Sequence, residues 1–78
     1  MEFATQVRKI IYETFQIDES HAPQDLDSDN IEAWDSLGHL ILISNLEREL
    51  KISFEQSVIP SLWSEALILN ALSKLNEK

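Results

Sequence analysis

The chain has 78 residues, 14 acidic against 6 basic, for a net charge of −8, and no cysteine. That length holds one small domain, and the missing cysteine excludes disulfide staples, thiol catalysis and cysteine-ligated zinc. The acidity argues against nucleic acid, and one glycine with two prolines is too few turn formers for a β-sandwich or barrel.

A hydrophobic content of 44% suits a folded core rather than a disordered tail. No apolar run approaches the roughly 20 residues of a membrane span. The N-terminus lacks the basic flank and apolar stretch of a secretory signal. Residues 1–78 therefore read as a single, all-α, cytoplasmic domain.

In chain order, Phe3, Val7, Ile10, Ile11 and Phe15 recur at helical spacing and predict a first helix over 2–16. Residues 17–35 break the pattern with Asp18, Ser20, Pro23, Asp25, Asp27, Ser28, Asp29 and Asn30, all turn formers. Leu26 and Ile31 are the expected pegs pinning this long loop to the core. A loop of that length in so small a domain is more often functional than not. It also holds nearly all the net charge: residues 18–35 carry seven acids and no lysine or arginine, leaving −1 for the rest. Such a segment either keeps the protein in solution or steers a basic partner toward it.

Asp35 and Ser36 can each cap a second helix, which runs to Leu50 or Lys51. Ile52, Ser53 and Phe54 mark a break. A short helical turn fits 55–59, ending at Pro60. A last helix starts near Ser61 or Ser64 and carries Leu62, Ala66, Ile68, Leu69, Leu72 and Leu75. The expected architecture is a small four-helix bundle, three main helices and one short, with a long first loop.

The second helix has two apolar faces. At about 100° per residue, Leu42, Ile43, Leu46 and Leu50 fall on one side, the expected core. Leu37, Leu40, Ile41 and Ser44 fall on the other. The acidic loop could fold over Leu40, whereas Leu37 and Ile41 read as a surface meant for a partner.

Ser36 and His39 lie three apart on this helix, but a hydrolytic triad also needs an orienting acid and an oxyanion hole in a shaped cleft. His39 reads instead as a partly buried helix residue, and His21 as a lone loop histidine. Asp25, Asp27 and Asp29 repeat the opening spacing of a calcium-binding EF-hand loop. The match fails at Asn30, where glycine is needed, and at Ser36, where a bidentate glutamate is needed. No metal site is expected. Ser36 remains. At the exposed start of a helix, unpaired N–H groups and the helix dipole favour an anion. A plain capping serine and a serine bearing a phosphate ester both fit there.

The run Trp34-Asp35-Ser36-Leu37-Gly38-His39-Leu40, with the apolar helix ending Leu46-Glu47-Arg48-Glu49-Leu50, resembles the acyl carrier proteins. Their hallmark is Asp-Ser-Leu at the head of the second helix, and the likeness covers nearly the whole chain. It implies that a 4′-phosphopantetheine arm is attached to Ser36 by a phosphopantetheinyl transferase, which takes it from coenzyme A and releases 3′,5′-ADP. The terminal thiol of the arm would hold acyl groups as thioesters, and the carrier itself would catalyse nothing. Partners would be that transferase and acyl-loading, ketosynthase or acyltransferase enzymes. They would dock on Asp35, Leu37, Gly38, Leu40, Ile41, Ser44 and Glu47 of a monomeric carrier.

Two positions depart from the pattern of fatty-acid carriers. Gly38 and Ile41 stand where many of those carriers place acids, and Arg48 separates Glu47 from Glu49. The motif looks more like carriers of polyketide or related secondary metabolism. An aminoacyl or peptidyl carrier, and an unmodified helical adaptor using the same patch, are the alternatives.

Overall fold

The computed structural model describes residues 3–75. Among these residues there are three α-helices: α1 (Ala4–Phe15), α2 (Ser36–Leu50) and α3 (Glu65–Leu75). Two 3₁₀ turns, Glu19–His21 and Ile59–Ser61, lie in the connections. Among the described residues there is no strand, and the one isolated bridge pairs Asp27 with Ser64.

α1 packs against both α2 and α3. It buries Val7, Ile10 and Ile11. α2 contributes Leu42, Ile43 and Leu46, and α3 contributes Ile68 and Leu72. Burying each such side chain is worth about 1.5–3 kcal/mol relative to leaving it in water. The helices alone do not close the core. Leu26, Ile31 and Trp34 from the long loop and Phe54 and Leu62 from the second connection are equally buried. Leu26 and Ile31 act as the expected pegs, and Trp34 is a third.

Both long helices stop without glycine. Gln16 and Lys51 adopt the left-handed conformation, with φ of 54° and 57°. The following residues, Ile17 and Ile52, donate backbone N–H groups to Tyr12 O and Glu47 O at 2.9 and 3.1 Å. Each isoleucine also packs against the core. This is the Schellman pattern, in which an apolar residue after the left-handed one locks the helix end.

Several boundaries differ from expectation. The proposed start of α1 at residue 2 lies outside the described residues. The short helical turn expected over 55–59 is present, but it does not end at Pro60. Val58 and Ile59 N–H groups donate to Glu55 O, and Ile59–Ser61 then forms the 3₁₀ turn with Pro60 inside it. Proline is tolerated there because the first residues of a helical turn need no N–H partner. Leu62 is buried but precedes α3, which starts after Ser64; the Ser64 hydroxyl accepts the Leu67 N–H at 3.1 Å. The isolated Asp27–Ser64 bridge lies at that boundary. Ser28 N–H donates to Trp63 O at 3.1 Å and Glu65 N–H to Leu26 O at 2.8 Å, tying the long loop to the head of α3.

Candidate functional site

Of the two cap candidates, Asp35 does the work. Its backbone is extended and its carboxylate accepts the Gly38 N–H at 2.8 Å. Its carbonyl takes the His39 N–H at 2.7 Å. Ser36 is thus the first helical residue rather than the cap. It is exposed, and its hydroxyl has no hydrogen-bond partner among the described residues. The N–H groups of Ser36 and Leu37 likewise have no backbone partner among those residues. Free N–H groups and the positive end of the helix dipole lie beside a free hydroxyl, an arrangement that accommodates a phosphate ester.

Behind Ser36 runs an exposed apolar stripe. Leu37 is 69% exposed, Leu40 60% and Ile41 46%. Ser44 continues it, one turn on, and is exposed as well. The acidic loop does not cover Leu40. Spacings of three and four residues set these side chains on one helix face.

Gly38 and Glu47 are placed otherwise than the docking expectation requires. Gly38 is buried. A Cβ built there would overlap the Ala33 carbonyl oxygen and come within 3.0 Å of the Phe15 ring. Its missing side chain therefore lets the chain before α2 pass against the helix. Glu47 is half-buried and its carboxylate accepts the Phe54 N–H at 2.9 Å, closing the turn after α2.

His39 is more deeply placed than the sequence suggests, at 3% exposure. Its Nδ1 lies 2.9 Å from Trp34 Nε1 and its Nε2 lies 2.8 Å from the Ile59 carbonyl oxygen. The indole can only donate and the carbonyl can only accept. The ring is therefore neutral, with its proton on Nε2. It stacks on Trp63 at 3.9 Å between centroids and 13° between planes. Trp34 in turn stacks on Phe15 at 5.4 Å. Helical spacing alone carries no signal for this aromatic column, because its members come from four separate segments.

Among the described residues no group of three histidine, cysteine or acidic side chains is placed to hold a metal ion. Asp27 caps its own loop through the backbone N–H and side-chain amide of Asn30 at 2.9 and 2.8 Å. His21 lies at the surface against Asp18 and Ser20. Hydrogen bonds from the Ser20 backbone and hydroxyl, then His21, hold Asp18 below the ordinary carboxylate range. Among the described residues none of the acids in 18–35 pairs with a lysine or arginine. The bidentate pair Arg8–Glu65, at 2.8 and 2.6 Å, bridges α1 and α3 and raises the Arg8 pKa.

An open groove of about 400 Å³ lies between the second connection and α3. Phe54, Val58, Leu62, Leu67, Ala71 and Leu75 give it apolar walls. Among the described residues no helix is long and apolar enough to cross a membrane. Comparison with protein-family models, with curated proteins and with solved structures finds no match.

Proposed function

We propose that this chain is an acyl carrier whose 4′-phosphopantetheine arm is attached at Ser36. The observation that carries this reading is the division of labour at the head of α2. Asp35 supplies the cap, which leaves the adjacent Ser36 hydroxyl exposed and unengaged. In the attachment reaction the Ser36 oxygen attacks the β-phosphorus of coenzyme A. The P–O bond to 3′,5′-ADP breaks, and the serine proton passes to a base of the transferase. The new phosphodiester carries a negative charge, which the free N–H groups of Ser36 and Leu37 and the helix dipole favour. The residues present fit the group. When attached, it supplies a thiol on which acyl groups are carried as thioesters.

The exposed stripe of Leu37, Leu40, Ile41 and Ser44 suits docking by the transferase and by acyl-loading, ketosynthase or acyltransferase enzymes. Asp35 frames the serine from the cap. The 59–61 turn takes the place of the short helix of a four-helix carrier, and the carrier acts as a monomer in the cytoplasm. The apolar character of the stripe, with Gly38 and Ile41 in place of acids, favours polyketide or related secondary-metabolite biosynthesis over housekeeping fatty-acid synthesis.

The test is intact mass after co-expression with a broad-specificity phosphopantetheinyl transferase, followed by peptide mapping. The expected result is one phosphopantetheine on Ser36 and none in Ser36→Ala. A wild-type chain that stays unmodified points to a helical adaptor working through the same stripe. An arm on Ser28 or Ser44 removes Ser36 from the assignment.

A further inference from the structure

We infer that Trp34 and His39 are positioning residues that fix the backbone turn on which Ser36 is presented to the transferase. This inference rests on the carrier reading.

Trp34 lies two residues before Ser36 and His39 three after it. The 2.9 Å bond from Trp34 Nε1 to His39 Nδ1 therefore bridges the turn that bears the serine. Both side chains are buried, at 2% and 3% exposure. The Asp35 cap fixes the first turn of α2 internally, but nothing in it ties that turn to the rest of the molecule. The contacts that anchor Trp34 and His39 do, and the indole–imidazole bond joins the two anchors across the turn. Trp34 is anchored on Phe15 at the end of α1. His39 is anchored on Trp63 and on the Ile59 carbonyl. The serine thus sits on a strap fastened to α1 on one side and to the second connection on the other.

Stability alone does not call for this chemistry. A well-packed apolar pair of similar volume serves a core as well as a buried polar pair. The polar pair adds direction: a neutral imidazole must accept from Trp34 and donate to Ile59, which fixes its ring in one rotation. Among the described residues the ring meets no ionisable partner. The acids on the segments around it are turned to other jobs or to the surface. Asp35 bonds Gly38, Glu65 is held by Arg8, and Glu32 and Glu55 are exposed.

Three variants of the apo protein test this. His39→Phe keeps a flat ring for Trp63 but can neither accept nor donate. Trp34→Phe keeps a ring for Phe15 but loses the donor. His39→Gln keeps one acceptor and one donor. The transferase reaction is followed by mass at temperatures where each variant is folded. With the docking stripe untouched, kcat for His39→Phe and Trp34→Phe should fall on the order of tenfold, since misplacing a reacting atom is felt in the chemical step. KM should stay within about twofold, the signature of lost positioning rather than lost docking. His39→Gln should recover most of the rate. In the wild type, the Trp34 indole N–H should exchange slowly with solvent, and in His39→Phe quickly.

Wild-type rates in folded His39→Phe and Trp34→Phe overturn the inference and leave the carrier reading intact. Should His39→Phe fail to fold, Trp34→Phe decides alone, and an unaltered kcat there overturns it. A wild-type chain that the transferase does not modify overturns the carrier reading, and the positioning role falls with it.

Discussion

Ser36→Ala removes a hydroxyl that caps nothing, because Asp35 holds the Gly38 N–H. Its stability should stay within about 0.5 kcal/mol of wild type, the usual range for a surface change, while modification is lost. Thermal melting and intact mass on the same sample check both halves. Gly38→Ala goes the other way. Alanine is the better helix former by about 1 kcal/mol, yet its Cβ would meet the Ala33 carbonyl oxygen and the Phe15 ring. Overpacking of this kind costs about 1–3 kcal/mol, so the melting temperature should fall despite the gain in propensity. A higher melting temperature would mean that the 33–35 segment moves aside freely. The start of α2 at Ser36 was legible because helix starts are written in short polar signals. The burial of Gly38 was not legible, since it depends on Ala33 and Phe15, and no local pattern states which backbone passes close to a glycine. The same holds for His39, whose partners Ile59 and Trp63 lie 20 and 24 positions away in the chain.

Among the elements, α2 was the most readable and the second connection the least. The two-faced pattern of α2 separates Leu42, Ile43 and Leu46, which are buried, from Leu37, Leu40 and Ile41, which are exposed. Ile41 sits about 140° from Leu46 at 100° per residue. Ile41→Glu should therefore change stability by no more than about 0.5 kcal/mol. It should nonetheless weaken acyl transfer from a cognate partner, because a charge is pushed into an apolar contact. Melting and a transfer assay on one preparation separate the outcomes: an unfolded variant puts Ile41 in the core, and a folded, fully active one moves docking elsewhere. The C-termini of α1 and α2 carry no glycine, and their ends were legible only from the break in periodicity. The left-handed Gln16 and Lys51 carry a Cβ penalty that glycine lacks. Lys51→Gly should consequently raise stability by up to about 1 kcal/mol, read as a shift of the denaturation midpoint at constant slope. A loss of stability there would mean that the lysine side chain is itself held by the fold. The 51–64 segment resisted reading because Phe54 and Leu62 are single apolar residues without a period, and Pro60 marks the inside of a turn as readily as its end.

At the scale of the whole molecule, charge is segregated: six of the seven acids of 18–35 are exposed on one connection, while the Arg8–Glu65 pair joins α1 to α3. If a basic transferase is steered by that connection, kcat/KM for modification should decline as salt rises, because exposed charges are screened beyond about 8 Å at physiological ionic strength. A flat profile assigns docking to the apolar stripe alone and leaves the acids a solvating role. The long connection is also far from a slack tether. Leu26, Ile31 and Trp34 are buried, and the amides of Ser28 and Glu65 are spent on the pairing between this connection and the residues heading α3. A protease probing the native chain therefore meets two unlike halves. Residues 18–25 contain no buried residue and only a single 3₁₀ turn, and limited digestion should nick there first. Residues 26–34 are stitched to the residues heading α3 and pegged into the core, so a cut in that half must await opening of the core itself. A nicked protein whose two fragments stay together, with Ser36 on the larger one, is what such an arrangement yields.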